Sequence, residues 1–239
     1  MPPWWLRDVG GADFEATGRE FLDLFKRLGN LLPDERILEI GCGCGRMALP
    51  LTGYLGRDGS YTGIDITQKS IAWCQKHITR RYPNFRFLHA DLYNTRYNPA
   101  GQQLARDYTF AFVDESFDFI FLTSVFTHML PQDVEHYVGE IARLLHPDGR
   151  ALLTFFLLND TQQTLRSQGQ NHIDFRYGSG VYRTRSEETP ESAVAYDEAY
   201  LRQRLARCGL HISEPIRYGT WTGRQDGRSY QDIVLTRRS

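Results

Sequence analysis

Gly41-Cys42-Gly43-Cys44-Gly45 follows directly on the apolar run Arg36-Ile-Leu-Glu-Ile40 and leads into a helical pattern at Met47, Leu51 and Leu55. Glycines at a strand-to-helix turn let a ligand approach the backbone, and the free N–H groups of the following helix favour a negative group there. Three carboxylates stand where strands are expected to end: Glu39 in the first, Asp65 closing the second and Asp91 just after the third. Asp65 lies 24 residues after Gly41, where a carboxylate can accept hydrogen bonds from both hydroxyls of a ribose. A nicotinamide-binding turn prefers its third glycine at position 46, which is Arg46 here. An NAD(P)-dependent oxidoreductase would account for Gly41, Gly43 and Asp65, but not for Arg46, Asp91 or the turn Pro147-Asp-Gly149. Far from the glycines, Tyr218, Trp221 and Arg224 gather near Tyr230. Aromatics interleaved with arginine suit a polar ligand with flat or anionic faces.

The elements that must position these groups follow one alternation. Residues 36–40, 60–65, 85–89, 117–122 and 150–157 read as strands, and 67–82 and 131–145 as helices between them. Strand–helix alternation of this kind makes an α/β fold: a doubly wound, Rossmann-like, mostly parallel sheet with helices on both faces. An amphipathic helix over 14–28 precedes it, carrying Phe21, Leu24, Phe25 and Leu28. Residues 159–192 are polar with no sustained period and read as an inserted, lid-like excursion. A helix over 196–208 and strands over 211–218 and 229–236 follow. With no crossover helix between them, these two strands should be antiparallel. The organisation expected is one domain over 1–239: a helical arm (1–35), a cofactor-binding core (36–158), the insertion (159–195) and a C-terminal helix with its strand pair (196–239). Trp4 and Trp5 are expected to anchor the arm by packing.

Composition narrows the function classes. The chain has 239 residues, 41% hydrophobic and 24% charged, with a formal net charge of −1. That balance argues against a protein built to neutralise nucleic-acid phosphates. No apolar run approaches the ~20 residues of a membrane span, and the first residues lack a secretory pattern. Cys42, Cys44, Cys74 and Cys208 offer no zinc spacing, so no metal is expected, and four reduced thiols fit a cytoplasmic protein.

LEIGCGCGR at 38–46, GID at 63–65, HADL at 89–92, SFDFIFLTSVFTHM at 116–129 and LLHPDGRALLTFF at 144–156 together resemble the class I S-adenosylmethionine-dependent methyltransferases. The resemblance covers residues 36 to about 157, and SVFTHM is similar to a bacterial subgroup with small-molecule, often carbohydrate-related, acceptors. It implies a seven-stranded sheet with an antiparallel last strand between the fifth and sixth. It further implies S-adenosyl-L-methionine as cofactor and S-adenosyl-L-homocysteine as product. Gly41, Cys42 and Gly43 would pass backbone under the cofactor's amino-acid end, with Glu39 meeting the ammonium and Arg46 available to the carboxylate. Asp65 would hold the ribose and Ile66 lie against the adenine. Asp91 would accept from the adenine amino group while Leu92 covers a ring face, and Thr123 and Ser124 would flank the methionine portion.

An alcohol acceptor must lose its proton as the new bond forms, and His128, just past the fourth strand, is the candidate base. The same histidine could instead order its loop. Asp197, with Glu198, is a second candidate, though carboxylates at a helix start also face the macrodipole. The function expected is methyl transfer to a small polar acceptor, a sugar-like hydroxyl above all, with Tyr218, Trp221 and Arg224 binding it. No nucleic-acid or membrane partner is expected, and both a monomer and a homodimer stay open. A non-catalytic, methyltransferase-like binding subunit is the third reading.

Overall fold

The computed structural model describes residues 1–7, 13–227 and 229–238; the rest of the N-terminal arm, residues 8–12, lies outside the described residues. In chain order the elements are α1 (Phe14–Arg27), β1 (Arg36–Ile40), α2 (Ala48–Leu51), β2 (Ser60–Asp65), α3 (Gln68–Cys74), β3 (Phe85–His89), β4 (Phe117–Leu122), α4 (Pro131–Leu144), β5 (Leu145–Phe155), β6 (Leu157–Leu158), α5 (Asp160–Ser167), β7 (Tyr182–Thr184), β8 (Val194–Asp197), α6 (Glu198–Arg207), β9 (Leu210–Ile212) and β10 (Asp232–Arg238).

Seven strands form one sheet in the order β3-β2-β1-β4-β5-β10-β9. The first five pair in parallel, and β10 runs antiparallel between β5 and β9. Side-chain alternation explains why the central strands read as unbroken apolar runs: both faces are covered. Leu38, Ile120 and Leu153 pack with α4 and α6 on one side, while Ile37, Phe119 and Leu152 meet Phe25 of α1 and Ile71 of α3 on the other. The strand order reverses between β1 and β4, so a crevice opens where their C-terminal ends diverge, which is where open α/β sheets take their ligands.

Several expected elements differ. The pattern through Met47, Leu51 and Leu55 yields only one helical turn, α2, since Pro50 supplies no N–H to continue it. The helix after β2 runs through α3 into a π-helical turn at Gln75–Thr79. The insertion is not structureless. It holds α5, and β7 and β8 join β6 in a second, three-stranded sheet over a small core of Phe156, Phe175, Ala195 and Trp221. Tyr196 and Asp197 end β8 rather than begin the next helix, and the last two strands are shorter than expected. Trp4 and Trp5 do not anchor the arm by burial: they are 78% and 64% exposed, with their rings edge to face at 5.8 Å. Among the described residues no helix is long and apolar enough to cross a membrane, and no cluster of three or more His, Cys, Asp or Glu is arranged to hold a metal.

Candidate active site

The loop after β1 turns on glycines whose φ values are +85° at Gly41, +50° at Gly43 and +82° at Gly45. Gly41 and Cys42 donate their N–H groups to the Ile64 carbonyl at 2.7 and 3.0 Å, tying the loop to β2. A Cβ on Gly41 would meet Val125 at 2.3 Å, whereas one on Gly43 would meet nothing within 4 Å. Gly43 therefore presents bare backbone to open space, as a cradle under a ligand requires.

Asp65 clasps this loop. One carboxylate oxygen accepts from Gly43 N–H and the other from Thr67 N–H, both at 2.7 Å. The Thr67 hydroxyl also donates to this carboxylate, which still keeps a lone pair for a further donor. Burial raises the Asp65 carboxyl above its ordinary range, against the pull of those two N–H groups. Ile66 is half-buried beside it, its carbonyl 3.1 Å from His89 Nε2. Below the loop, Glu39 is 2% exposed, and one of its oxygens accepts from the Tyr61 hydroxyl while the other makes no hydrogen bond among the described residues. Burial lifts this carboxyl to about 8, opposed by Tyr61 and by the charge of Arg46. Arg46 is half-buried, its pKa lowered by burial with the Glu39 charge opposing. Cys42 is buried and burial pushes its thiol up, so it contributes backbone, not a nucleophile.

Along the crevice, Asp91 is exposed and accepts from Asn98 Nδ2 at 3.0 Å, while Leu92 is buried in the core. Thr123 is buried. Ser124 holds φ +61°, a strained conformation for a residue with a side chain. Its N–H donates to Thr154 Oγ1 at 2.8 Å, and its Oγ accepts from Gln231 Nε2 at 2.8 Å. His128 Nδ1 lies 2.9 Å from the Glu191 carbonyl and, with no proton on that oxygen, must be the donor. Nε2 is then the bare acceptor, and burial lowers the pKa so that the ring is neutral at pH 7.

The C-terminal candidates divide. Asp197 caps α6, accepting from Tyr200 N–H at 2.8 Å. Glu198 accepts from the Tyr218 hydroxyl and from Asn159 Nδ2, each at 2.9 Å, and the Arg224 guanidinium lies 4.6 Å over the Tyr218 ring. Trp221, expected to meet an acceptor, is 0% exposed: its Nε1–H donates to Asp232 at 2.9 Å and its ring packs on Phe156 and Phe175. Burial lifts that Asp232 carboxyl to about 6, although Trp221, Gly219 and Leu157 all donate to it. Sequence reasoning missed Tyr61, Thr154 and Gln231. A tyrosine hydroxyl inside a buried strand had to find an acceptor, which was a usable signal for Tyr61; nothing in the local pattern marks the other two.

A family model described as a methyltransferase domain matches residues 37–149. Phthiotriol/phenolphthiotriol dimycocerosates methyltransferase 1 of Mycobacterium ulcerans is 29% identical over 142 residues, 59% of this chain and 45% of that protein. The tRNA N(3)-cytidine methyltransferase METTL2 of Gallus gallus is 29% identical over 143 residues, 56% of this chain and 34% of that protein. The chain thus spans less than half the length of these curated relatives. The structure of magnesium protoporphyrin IX methyltransferase from Synechocystis PCC 6803, with bound S-adenosylhomocysteine, superposes with a TM-score of 0.60 at 16% identity, covering 98% of this chain and 92% of that one. At that identity the likeness is one of fold.

Proposed function

We propose, from the methyltransferase-domain match over residues 37–149, that this chain is a class I S-adenosylmethionine-dependent methyltransferase and that it methylates a hydroxyl of a small polar acceptor. The observation that carries the cofactor half is the clasp of Asp65 on the open backbone of Gly43 at the strand-order reversal. When bound, S-adenosylmethionine supplies a methyl on a sulfonium that departs as a neutral thioether. The chain's own task is then alignment and water exclusion, effects worth about 7–11 kcal/mol of barrier.

The residues fit that task. Asp65 would hold the ribose with its remaining lone-pair capacity, and Ile66 would lie against the adenine. Asp91 would accept from the adenine amino group, with Leu92 covering a ring face. Gly41, Cys42 and Gly43 would pass backbone under the amino-acid end, with Glu39 meeting the ammonium and Arg46 the carboxylate. Thr123 and Ser124 would flank the methionine portion, and the Thr154 and Gln231 bonds hold Ser124 in its strained turn. His128, with Nδ1–H fixed on Glu191, presents Nε2 to take the acceptor's proton. Tyr218 and Arg224 belong to the acceptor side, whereas Trp221 is buried on Phe156 and Phe175.

The test is a panel of sugars, polyols, amines, thiols and tRNA incubated with S-adenosylmethionine, read by release of S-adenosylhomocysteine and product mass. A methyl ether as product supports the assignment; methylation confined to amines, thiols or tRNA overturns it. With a turned-over alcohol, His128→Ala should lower kcat by roughly 10²–10⁴-fold and leave S-adenosylhomocysteine affinity unchanged. Unchanged kcat would remove His128 from the chemistry.

A further inference from the structure

A cavity of about 500 Å³ opens in the insertion, lined chiefly by Leu158, Gln162, Arg166, Phe175, Arg183 and Asp197. Three of its polar groups have no full complement within the chain. Gln162 is 3% exposed, yet its side-chain amide makes no hydrogen bond among the described residues; only its backbone N–H is used, on Asn159. Arg183 donates to the Tyr182 carbonyl at 3.0 Å and meets no carboxylate among the described residues. Asp197 commits Oδ1 to the α6 cap and leaves Oδ2 unused. Arg166, by contrast, is paired with Asp174 at 3.0 Å. The Gln162 amide faces the open cavity, where a ligand can take the hydrogen bonds that water otherwise fills. Phe175 adds a flat apolar wall.

The cavity lies at the crevice end of the sheet. Thr154, which holds Ser124, precedes Leu158 by four residues, at most about 14 Å of chain. β8 joins the two places: Asp197 enters the cavity, and the neighbouring Tyr196 hydroxyl donates to the Met129 carbonyl at 2.6 Å, beside His128.

We infer that this cavity seats the methyl acceptor, and that the acceptor carries a carboxylate or phosphate beside hydroxyl groups. The unpaired Arg183 guanidinium matches the oxyanion. A hydroxyl both accepts and donates, so it can bridge the Gln162 amide and the Asp197 carboxylate. The inference rests on the methyltransferase reading above.

Binding of D-glucuronate, glucose 6-phosphate and glucose to the S-adenosylhomocysteine-loaded protein, measured by calorimetry at equal concentrations, tests it. At least one of the two acids should bind about tenfold or more tightly than glucose, and which one does separates carboxylate from phosphate. Gln162→Leu and Arg183→Gln should each weaken that acid about tenfold or more. Binding of neither acid, equal binding of glucose, or affinity that survives Arg183→Gln overturns the inference. S-adenosylhomocysteine binding in the same samples keeps the two readings apart: its loss sinks the methyltransferase assignment, and its persistence without acid binding sinks only the cavity's.

Discussion

Gly43→Ala separates a backbone made for a ligand from a backbone merely made to turn. Position 43 sits at φ +50° with no atom within 4 Å of the added methyl, so the folded chain loses only the left-handed preference of glycine. For an L-residue that costs about 1–2 kcal/mol, and at about 2–4 °C per kcal/mol the melting temperature should fall by roughly 2–8 °C. Gly169 is the control. It has φ +70°, equally open surroundings and a place beyond α5, remote in sequence from the glycine loop. Gly169→Ala should show the same thermal loss and bind S-adenosylhomocysteine normally. In Gly43→Ala the methyl projects into the cradle, and displacing the ligand from one charged hydrogen bond costs about 1.5–3 kcal/mol, a loss of roughly 10- to 150-fold in affinity. Calorimetric titration of both variants, beside their melting curves, reads the difference. Equal affinities in the two would refute the idea that ligand passes over Gly43. Gly41→Ala cannot serve, because its methyl would strike Val125 at 2.3 Å and unsettle the crevice itself.

Asp65→Asn leaves one of the two N–H donors, of Gly43 or Thr67, facing an amide nitrogen. It should weaken S-adenosylhomocysteine about 10- to 150-fold with some loss of stability, and calorimetry showing unchanged affinity would take Asp65 out of the ribose role. Glu39 makes stability depend on pH. Its carboxyl is raised from 4.5 to about 8 on folding, so between those values the unfolded chain ionises while the folded chain keeps its proton. Stability therefore falls as pH rises across that window and levels above it, by an amount of order 4 kcal/mol. Urea unfolding of the protein and of Glu39→Gln, at about pH 5 and about pH 9, should show a clearly larger loss with Glu39 present, since the raised Asp232 and Asp65 carboxyls contribute alike to both. Equal pH dependence in the two would contradict it.

The sheet core is legible in the sequence because its central strands are buried on both faces, β3 alternates buried and exposed residues, and the strands stop abruptly at Gly41, Asp65, Ala90 and Thr123, where the chain must turn toward the crevice. Beyond residue 158 that grammar fails for a physical reason. β6, β7 and β8 are two to four residues long, too short to show a period, and their small core is assembled from Phe156, Phe175 and Trp221, 65 positions apart end to end. Trp221 beside Arg224 reads as a ligand contact until Asp232, from a different element, captures its N–H. Trp4 and Trp5 read as packing anchors, yet no surface among the described residues buries them. Gln231 reaches Ser124 across 107 positions, a pairing no local pattern can announce.

The most direct test of the central claim is calorimetric titration of the purified protein with S-adenosylhomocysteine, with NADH titrated in parallel. Saturable binding of S-adenosylhomocysteine at one site per chain, lost or strongly weakened in Gly43→Ala and Asp65→Asn, with no NADH binding, is the expected result. NADH binding in its place, or S-adenosylhomocysteine binding indifferent to both substitutions, would contradict the assignment of the crevice between β1 and β4 as a methyl-donor site.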